Sequence, residues 1–141
     1  MNENYHILPV EQPDDPVWEL VGGGISKFNR HYGGEEQWKR LCFVLYAPDQ
    51  SVAGGAIGET YWNWFYLSLM FVKEELRGQG YGQQLLALAE EEARRRGARH
   101  VYLDTFSFQA PEFYKKCGYE VFGVLEDFPA GHQRYFLKKE L

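Results

Sequence analysis

Six residues, Arg77-Gly78-Gln79-Gly80-Tyr81-Gly82, have the types and spacing to hold an anion. They lie between an apolar run, 65–72, and a stretch of helical periodicity, 83–96. A glycine-rich turn joining a strand to a helix leaves several backbone N–H groups free and pointing the same way. The helix N-terminus adds a partial positive charge there. The combination suits phosphate or pyrophosphate, and glycine lets the backbone come closer to a ligand than a Cβ would allow. Three phosphate-binding turns compete. A P-loop needs Gly-Lys-Ser/Thr, but Gly82 is followed by Gln83-Gln84. A dinucleotide fingerprint needs G-x-G-x-x-G with an acidic residue after the next strand, and the last spacing is wrong here. The third pattern, Arg/Gln-x-x-Gly-x-Gly/Ala, is met by Arg77, Gly80 and Gly82.

The elements that must position this turn can be read from periodicity. Residues 64–72 are apolar at nearly every position, which predicts a central strand buried on both faces. Leu85, Leu88 and Ala89 give the following helix an apolar stripe. Glu90, Glu91 and Glu92 stand four residues before Arg94, Arg95 and Arg96, so the charge run reads as a solvated helix face, ended by Gly97. Strands are predicted over 100–105, 119–125 and 132–138, with a short helix over 111–117. Upstream, 5–10 could form a strand. Pro13-Asp14-Asp15-Pro16 reads as a helix start. Gly22-Gly23-Gly24 would break that helix, and a second would cover 25–32. Strands at 39–46 and 52–60 precede a hairpin turn at Trp62-Asn63. The sum is an α/β domain of mixed sheet, mostly antiparallel, with one parallel pair beside the helix after the glycine turn.

Bulk properties narrow the classes. A chain of 141 residues with 45% hydrophobic residues fits one domain, 1–141, with a real core. No apolar stretch reaches membrane-spanning length, and no secretory pattern opens the chain. The net charge of −5 argues against nucleic acid as main partner. Cys42 and Cys117 are too few for a disulfide framework and read as packing residues, so a cytoplasmic location is expected. The four histidines lack metal-ligand spacing, and no metal is expected.

A second motif follows at Phe108-Gln109-Ala110-Pro111-Glu112-Phe113-Tyr114-Lys115-Lys116-Cys117-Gly118-Tyr119. With 72–82 it makes the chain resemble the GNAT superfamily of N-acetyltransferases from about Trp64 to Tyr119. Two departures are visible: Ser107 or Gln109 stands in for an Asn common before Ala110, and Cys117 for a common Leu.

The resemblance implies a GNAT-like fold and direct acetyl transfer from acetyl-CoA to an amine. Amides of Gly78, Gln79, Gly80, Tyr81, Gly82 and Gln83 would hold the pyrophosphate, with Arg77 in the turn. Met70, Phe71 and Val72 would pair with the pantetheine arm where two strands splay, and one N–H would polarise the thioester carbonyl. Tyr114 would protonate the leaving thiolate. Asp104 is the leading base candidate, its alternative being a structural cap or loop hydrogen bond; Glu59 and His132 follow. Trp62 and Trp64, in a cluster with Tyr61, Phe65 and Tyr66, could receive a cationic amine, or serve the core. The expected partner is a small-molecule amine, with a homodimer compatible by analogy. Rival readings are a non-catalytic acyl-CoA-binding module and a protein or peptide N-acetyltransferase.

Overall fold

A computed structural model of the chain describes residues 4–141. Met1–Glu36 and Gln37–Leu141 form two compact units. The first is built on one helix, α1 (Asp15–Gly33). Asp14 caps it, its carboxylate accepting the Val17 N–H at 3.3 Å, and Pro16 sits in the first turn. The expected break at Gly22-Gly23-Gly24 does not occur. A glycine costs a helix only about 1 kcal/mol against alanine and, unlike proline, keeps its N–H donor, so a nucleated helix runs through to Gly34 at φ 81°. No strand forms over 5–10. Among the described residues no helix is long and apolar enough to cross a membrane.

The second unit is a six-stranded sheet. Its elements run β1 (Lys39–Tyr46), β2 (Val52–Tyr61), β3 (Trp64–Val72), α2 (Tyr81–Arg95), β4 (His100–Phe106), α3 (Pro111–Lys116), β5 (Glu120–Glu126) and β6 (Gln133–Glu140). The spatial order is β1-β2-β3-β4-β6-β5. The β3–β4 pair is parallel and all others are antiparallel, as expected of a GNAT-like mixed sheet. On one face α2 lays Leu85, Leu86, Ala89 and Ala93 over Phe65, Leu67, Val101, Leu103 and Leu137.

Strand β3 departs from the expectation of a strand buried on both faces. Leu67 pairs with Gly58 but Leu69 with Ile57, so Ser68 is an extra residue. The bulge inverts the alternation. Phe65 and Leu67 are buried before it, Val72 after it, while Leu69 and Phe71 are 66% and 62% exposed. A bulge also raises local twist, and here β3 parts from β4: their ladder ends at the Leu67–Leu103 pair. Beyond it the two strands expose facing edges.

The helix α2 also corrects the reading of its charges. Pairing is Arg94–Glu91 at 2.7 Å, Arg95–Glu92 at 3.3 Å and Arg96–Glu92 at 3.9 Å. Glu90 turns inward and is 7% exposed. It accepts from the Tyr119 hydroxyl at 2.5 Å and from Lys139 Nζ at 3.1 and 3.3 Å. The helical spacing from Leu86 through Glu90 to Ala93 puts it on the core face. Removing one member leaves the other charge partly buried and unpaired. Glu90→Ala is therefore expected to lower unfolding free energy by about 2–3 kcal/mol, with Glu90→Gln costing less because the amide oxygen still accepts from Tyr119. Urea midpoints of the two variants check this; equal midpoints for wild type and Glu90→Ala would contradict it.

Candidate active site

A cleft of about 700 Å³ opens where β3 leaves β4. The end of β3 forms one wall through Met70, Phe71 and Val72. The turn Arg77, Gly78 and Gly80 and the first residues of α2, Tyr81, Gly82 and Gln83, form the floor. Phe108, Gln109 and Ala110 with Phe113 and Tyr114 of α3 close the other side. The helix begins two residues earlier than periodicity predicts, so Tyr81 to Gln83 supply its first-turn amides. No side chain caps it, and the first intrahelical bond runs from Gln84 N–H to Gly80 O at 3.0 Å. The preceding amides thus keep the free donors and partial positive charge of a helix N-terminus. Gly78 and Gly80 sit at φ 77° and 92°, the left-handed region that side chains disfavour. A Cβ at either would stand in open space, so the cradle is unfilled by protein and fits a diphosphate.

The turn is fastened to the strand. Arg77 Nε donates to Val72 O at 2.9 Å, and its guanidinium stacks 5.2 Å from the Phe71 ring centroid. Of the ten cofactor positions expected from sequence, nine line the cleft; Gln79 instead donates through Nε2 to Glu75 O at 3.3 Å.

Tyr114 is 8% exposed, yet it lines the cleft. Among the described residues its hydroxyl has no hydrogen-bond partner. Burial, with smaller contributions from Cys117 and Asp104, pushes its pKa up to about 12. Its ring meets Tyr119 edge-on at 5.8 Å. Tyr119 is the residue held by Glu90, so the buried ion pair braces the phenol. Of the two cysteines read as packing residues, Cys117 is half-buried on the cleft and Cys42 is exposed. Burial raises the Cys117 pKa, with Glu90 adding and Lys139 opposing.

Asp104 projects from the other face of the sheet, with Tyr66 and Tyr102. Its Oδ1 accepts from Arg134 Nε at 2.9 Å and Nη2 at 2.7 Å, and its Oδ2 accepts the Tyr66 hydroxyl at 3.0 Å. Burial and the bond to Asp104 raise the Tyr66 pKa. Arg134 escaped the sequence reading; the signal was a cation followed by Tyr135 and Phe136 in a strand that pairs with the one carrying Asp104. Glu59 accepts Trp38 Nε1 at 3.0 Å. Trp64 stacks on His100 at 4.5 Å, and Trp62 occupies the β2–β3 turn at φ 49°. Both tryptophans stand at the far end of β3 from the cleft, roughly 25 Å away at about 3.3 Å per residue. His132 lies in the β5–β6 loop, 5.0 Å from the ring of Phe108. Among the described residues no cluster of His, Cys, Asp and Glu could hold a metal.

The family model described as Acetyltransferase (GNAT) family matches residues 5–119. An acetyltransferase of Agrobacterium fabrum is 40% identical over 120 residues, which is 85% of this chain and 84% of that protein. A blasticidin-S acetyltransferase of Streptomyces morookaense is 38% identical over 91 residues, covering 64% of this chain and 67% of that protein. The crystal structure of an acetyltransferase from Bacillus cereus superimposes with a TM-score of 0.87 at 34% identity, over 95% of this chain and 98% of that one.

The two thiols differ in setting, and alkylation reads that difference. With iodoacetamide at mildly alkaline pH, exposed Cys42 is expected to react at least about tenfold faster than Cys117, whose thiolate is disfavoured. Peptide mapping over time decides it, and faster labelling of Cys117 would refute the assigned burial.

Proposed function

The chain belongs to the GNAT family of acetyltransferases, and we propose that it moves an acetyl group from acetyl-CoA to a primary amine of a small molecule, by direct attack. One observation carries the reading: an uncapped helix N-terminus and Tyr114, whose hydroxyl has no partner among the described residues, line the same cleft. The first suits a diphosphate. The second suits a leaving group that must gain a proton. The names of relatives point the same way, one being a blasticidin-S acetyltransferase.

Each part then has a physical role. The amides of Gly78 to Gln83 take the pyrophosphate, with Arg77 holding the turn to Val72. The edge of β3 at Met70, Phe71 and Val72, released from β4 by the bulge, receives the pantetheine arm as another strand would. An N–H on that edge polarises the thioester carbonyl. The amine nitrogen forms the new C–N bond as the C–S bond breaks. Tyr114 gives its proton to the sulfur, and the proton lost by the amine restores the balance through water. A phenol whose pKa burial raises to about 12 is fully protonated at neutral pH, so it holds a proton to give.

Three measurements test this. Tyr114→Phe is expected to lower kcat by about 100-fold while coenzyme A binds by calorimetry as in wild type; an unchanged kcat removes the acid role. Gly80→Val, placing a β-branched side chain at φ 92° in the cradle, is expected to abolish coenzyme A binding, and normal affinity would refute the cradle. The pH–rate profile follows in sign. Loss of the Tyr114 proton is the deactivating step and lies at about 12. The rate should therefore rise as the amine deprotonates and show no fall that depends on Tyr114 in the mildly alkaline range. If coenzyme A binds tightly but none of a panel of amines gives thiol release from acetyl-CoA, the enzymatic reading fails.

A further inference from the structure

We propose that the acceptor amine is received on the sheet face opposite α2, at Tyr66, Asp104 and Arg134, and that this site selects aminoacyl-type amines, in which a carbonyl or carboxylate oxygen stands beside the primary amine. This rests on the acetyltransferase reading above and names its second substrate class.

The location follows from the ladder. The β3–β4 pairing ends at Leu67 and Leu103, and the next residue of β4 is Asp104. Its carboxylate and the Tyr114 phenol therefore stand on opposite faces of the slot. They are close enough for the charge of Asp104 to contribute to the raised Tyr114 pKa. An acyl group lying in that slot has its leaving-group acid on one side and this cluster on the other, so the nucleophile and the departing sulfur do not compete for space.

The class follows from the hydrogen-bond inventory. The Tyr66 proton is spent on Asp104 Oδ2, so the Tyr66 oxygen can only accept, and Oδ2 keeps accepting capacity. Together they present an acceptor pair for the N–H groups of an amine. Arg134 has five N–H donors, and two are engaged with Asp104 Oδ1. The rest can only donate, and they suit a carbonyl or carboxylate oxygen. The acceptor pair and the donor edge are side by side because the Asp104–Arg134 ion pair joins them. Phe106, Phe128 and Phe136 stand 5.5, 5.1 and 5.3 Å from the guanidinium carbon. These rings reduce hydration around the pair, which strengthens its polar contacts. The paired carboxylate is committed to three hydrogen bonds, which makes Asp104 a positioning group rather than the base. The neighbouring guanidinium also disfavours a polycation.

Thiol release from acetyl-CoA across matched amines tests the proposal: glycinamide and β-alaninamide against propylamine and butylamine, with spermidine as the polycation. The amides are expected to exceed their alkylamine partners in kcat/KM by at least about 100-fold, because a site built to donate to an oxygen rejects the analogue lacking it. Arg134→Lys keeps the charge but loses the fork, and should cut that ratio to about tenfold or less. Tyr66→Phe keeps the ring stack on Tyr102 and should raise KM for the amides more than it lowers kcat, with coenzyme A affinity as control. Equal kcat/KM for amides and alkylamines, preference for spermidine, or a ratio that survives both substitutions overturns the assignment. Failure of every amine while coenzyme A binds would instead sink the acetyltransferase reading itself.

Discussion

The point on which the whole site depends is the end of one hydrogen-bond ladder. Among the described residues strands β3 and β4 are the only parallel pair, and they stay together only from Trp64–His100 to Leu67–Leu103. One extra residue, Ser68, ends the pairing by shifting the β2–β3 register. The bulge is itself held in place, since Ser68 Oγ donates to Ile57 O at 2.9 Å. Two consequences follow from this one residue. The open edges of β3 and β4 give an acyl chain a place to lie as a surrogate strand. The inverted alternation sends Phe71 outward, where it can line a cleft and support Arg77.

The two faces of the slot are set up differently because their jobs differ. On the α2 side the anion cradle is made of backbone: amides at an uncapped helix end, fixed in direction and unable to titrate. Of the titratable side chains there, the Tyr114 phenol and the Cys117 thiol are both pushed toward their neutral forms by burial. On the opposite face the charges are side chains, Asp104 and Arg134, which cancel as a pair and are wrapped in phenyl rings. The first arrangement is general for a diphosphate. The second is shaped by particular side chains, which is why the proposed amine selection is placed there.

The legible part of the sequence was the part governed by local rules. The bounds of β1 and β3, the Asp14 cap, the hairpin at Trp62-Asn63 and the glycine turn with its helix all follow from propensity, turn chemistry and spacing, and nine of the ten cofactor positions fell together in the cleft. What escaped depended on register. Ser68 looks like one more residue in an apolar run, and only pairing with β2 reveals it as a bulge. Glu90 looks like its neighbours Glu91 and Glu92, although the step from Leu86 to Glu90 to Ala93 placed it on the buried face. Asp104 was visible, but its partner Arg134 is thirty residues away and meets it only because β6 inserts between β4 and β5. Trp62 and Trp64 stand at the opposite end of β3 from Met70 to Val72, with Trp64 against His100 and Tyr102.

That insertion of β6 explains why the late strands matter to a site formed mainly upstream. Arg134 and Lys139 lie an odd number of residues apart on β6, so they project to opposite faces of the sheet. Arg134 reaches Asp104 on the face away from α2. Lys139 reaches Glu90 of α2 on the other, and through Tyr119 that contact braces Tyr114. Each pair is costly to desolvate and contributes little net stability against an apolar alternative. What such pairs supply here is geometry. A single strand fixes the phenol on one side of the slot and the Asp104 cluster on the other, so the spacing across the sheet is set by the rigid backbone between residues 134 and 139. An acyl-transfer site needs its acid and its incoming amine held at a fixed separation, and with the roles proposed for Tyr114 and the Asp104 cluster, β6 would set that separation without touching the cleft's floor.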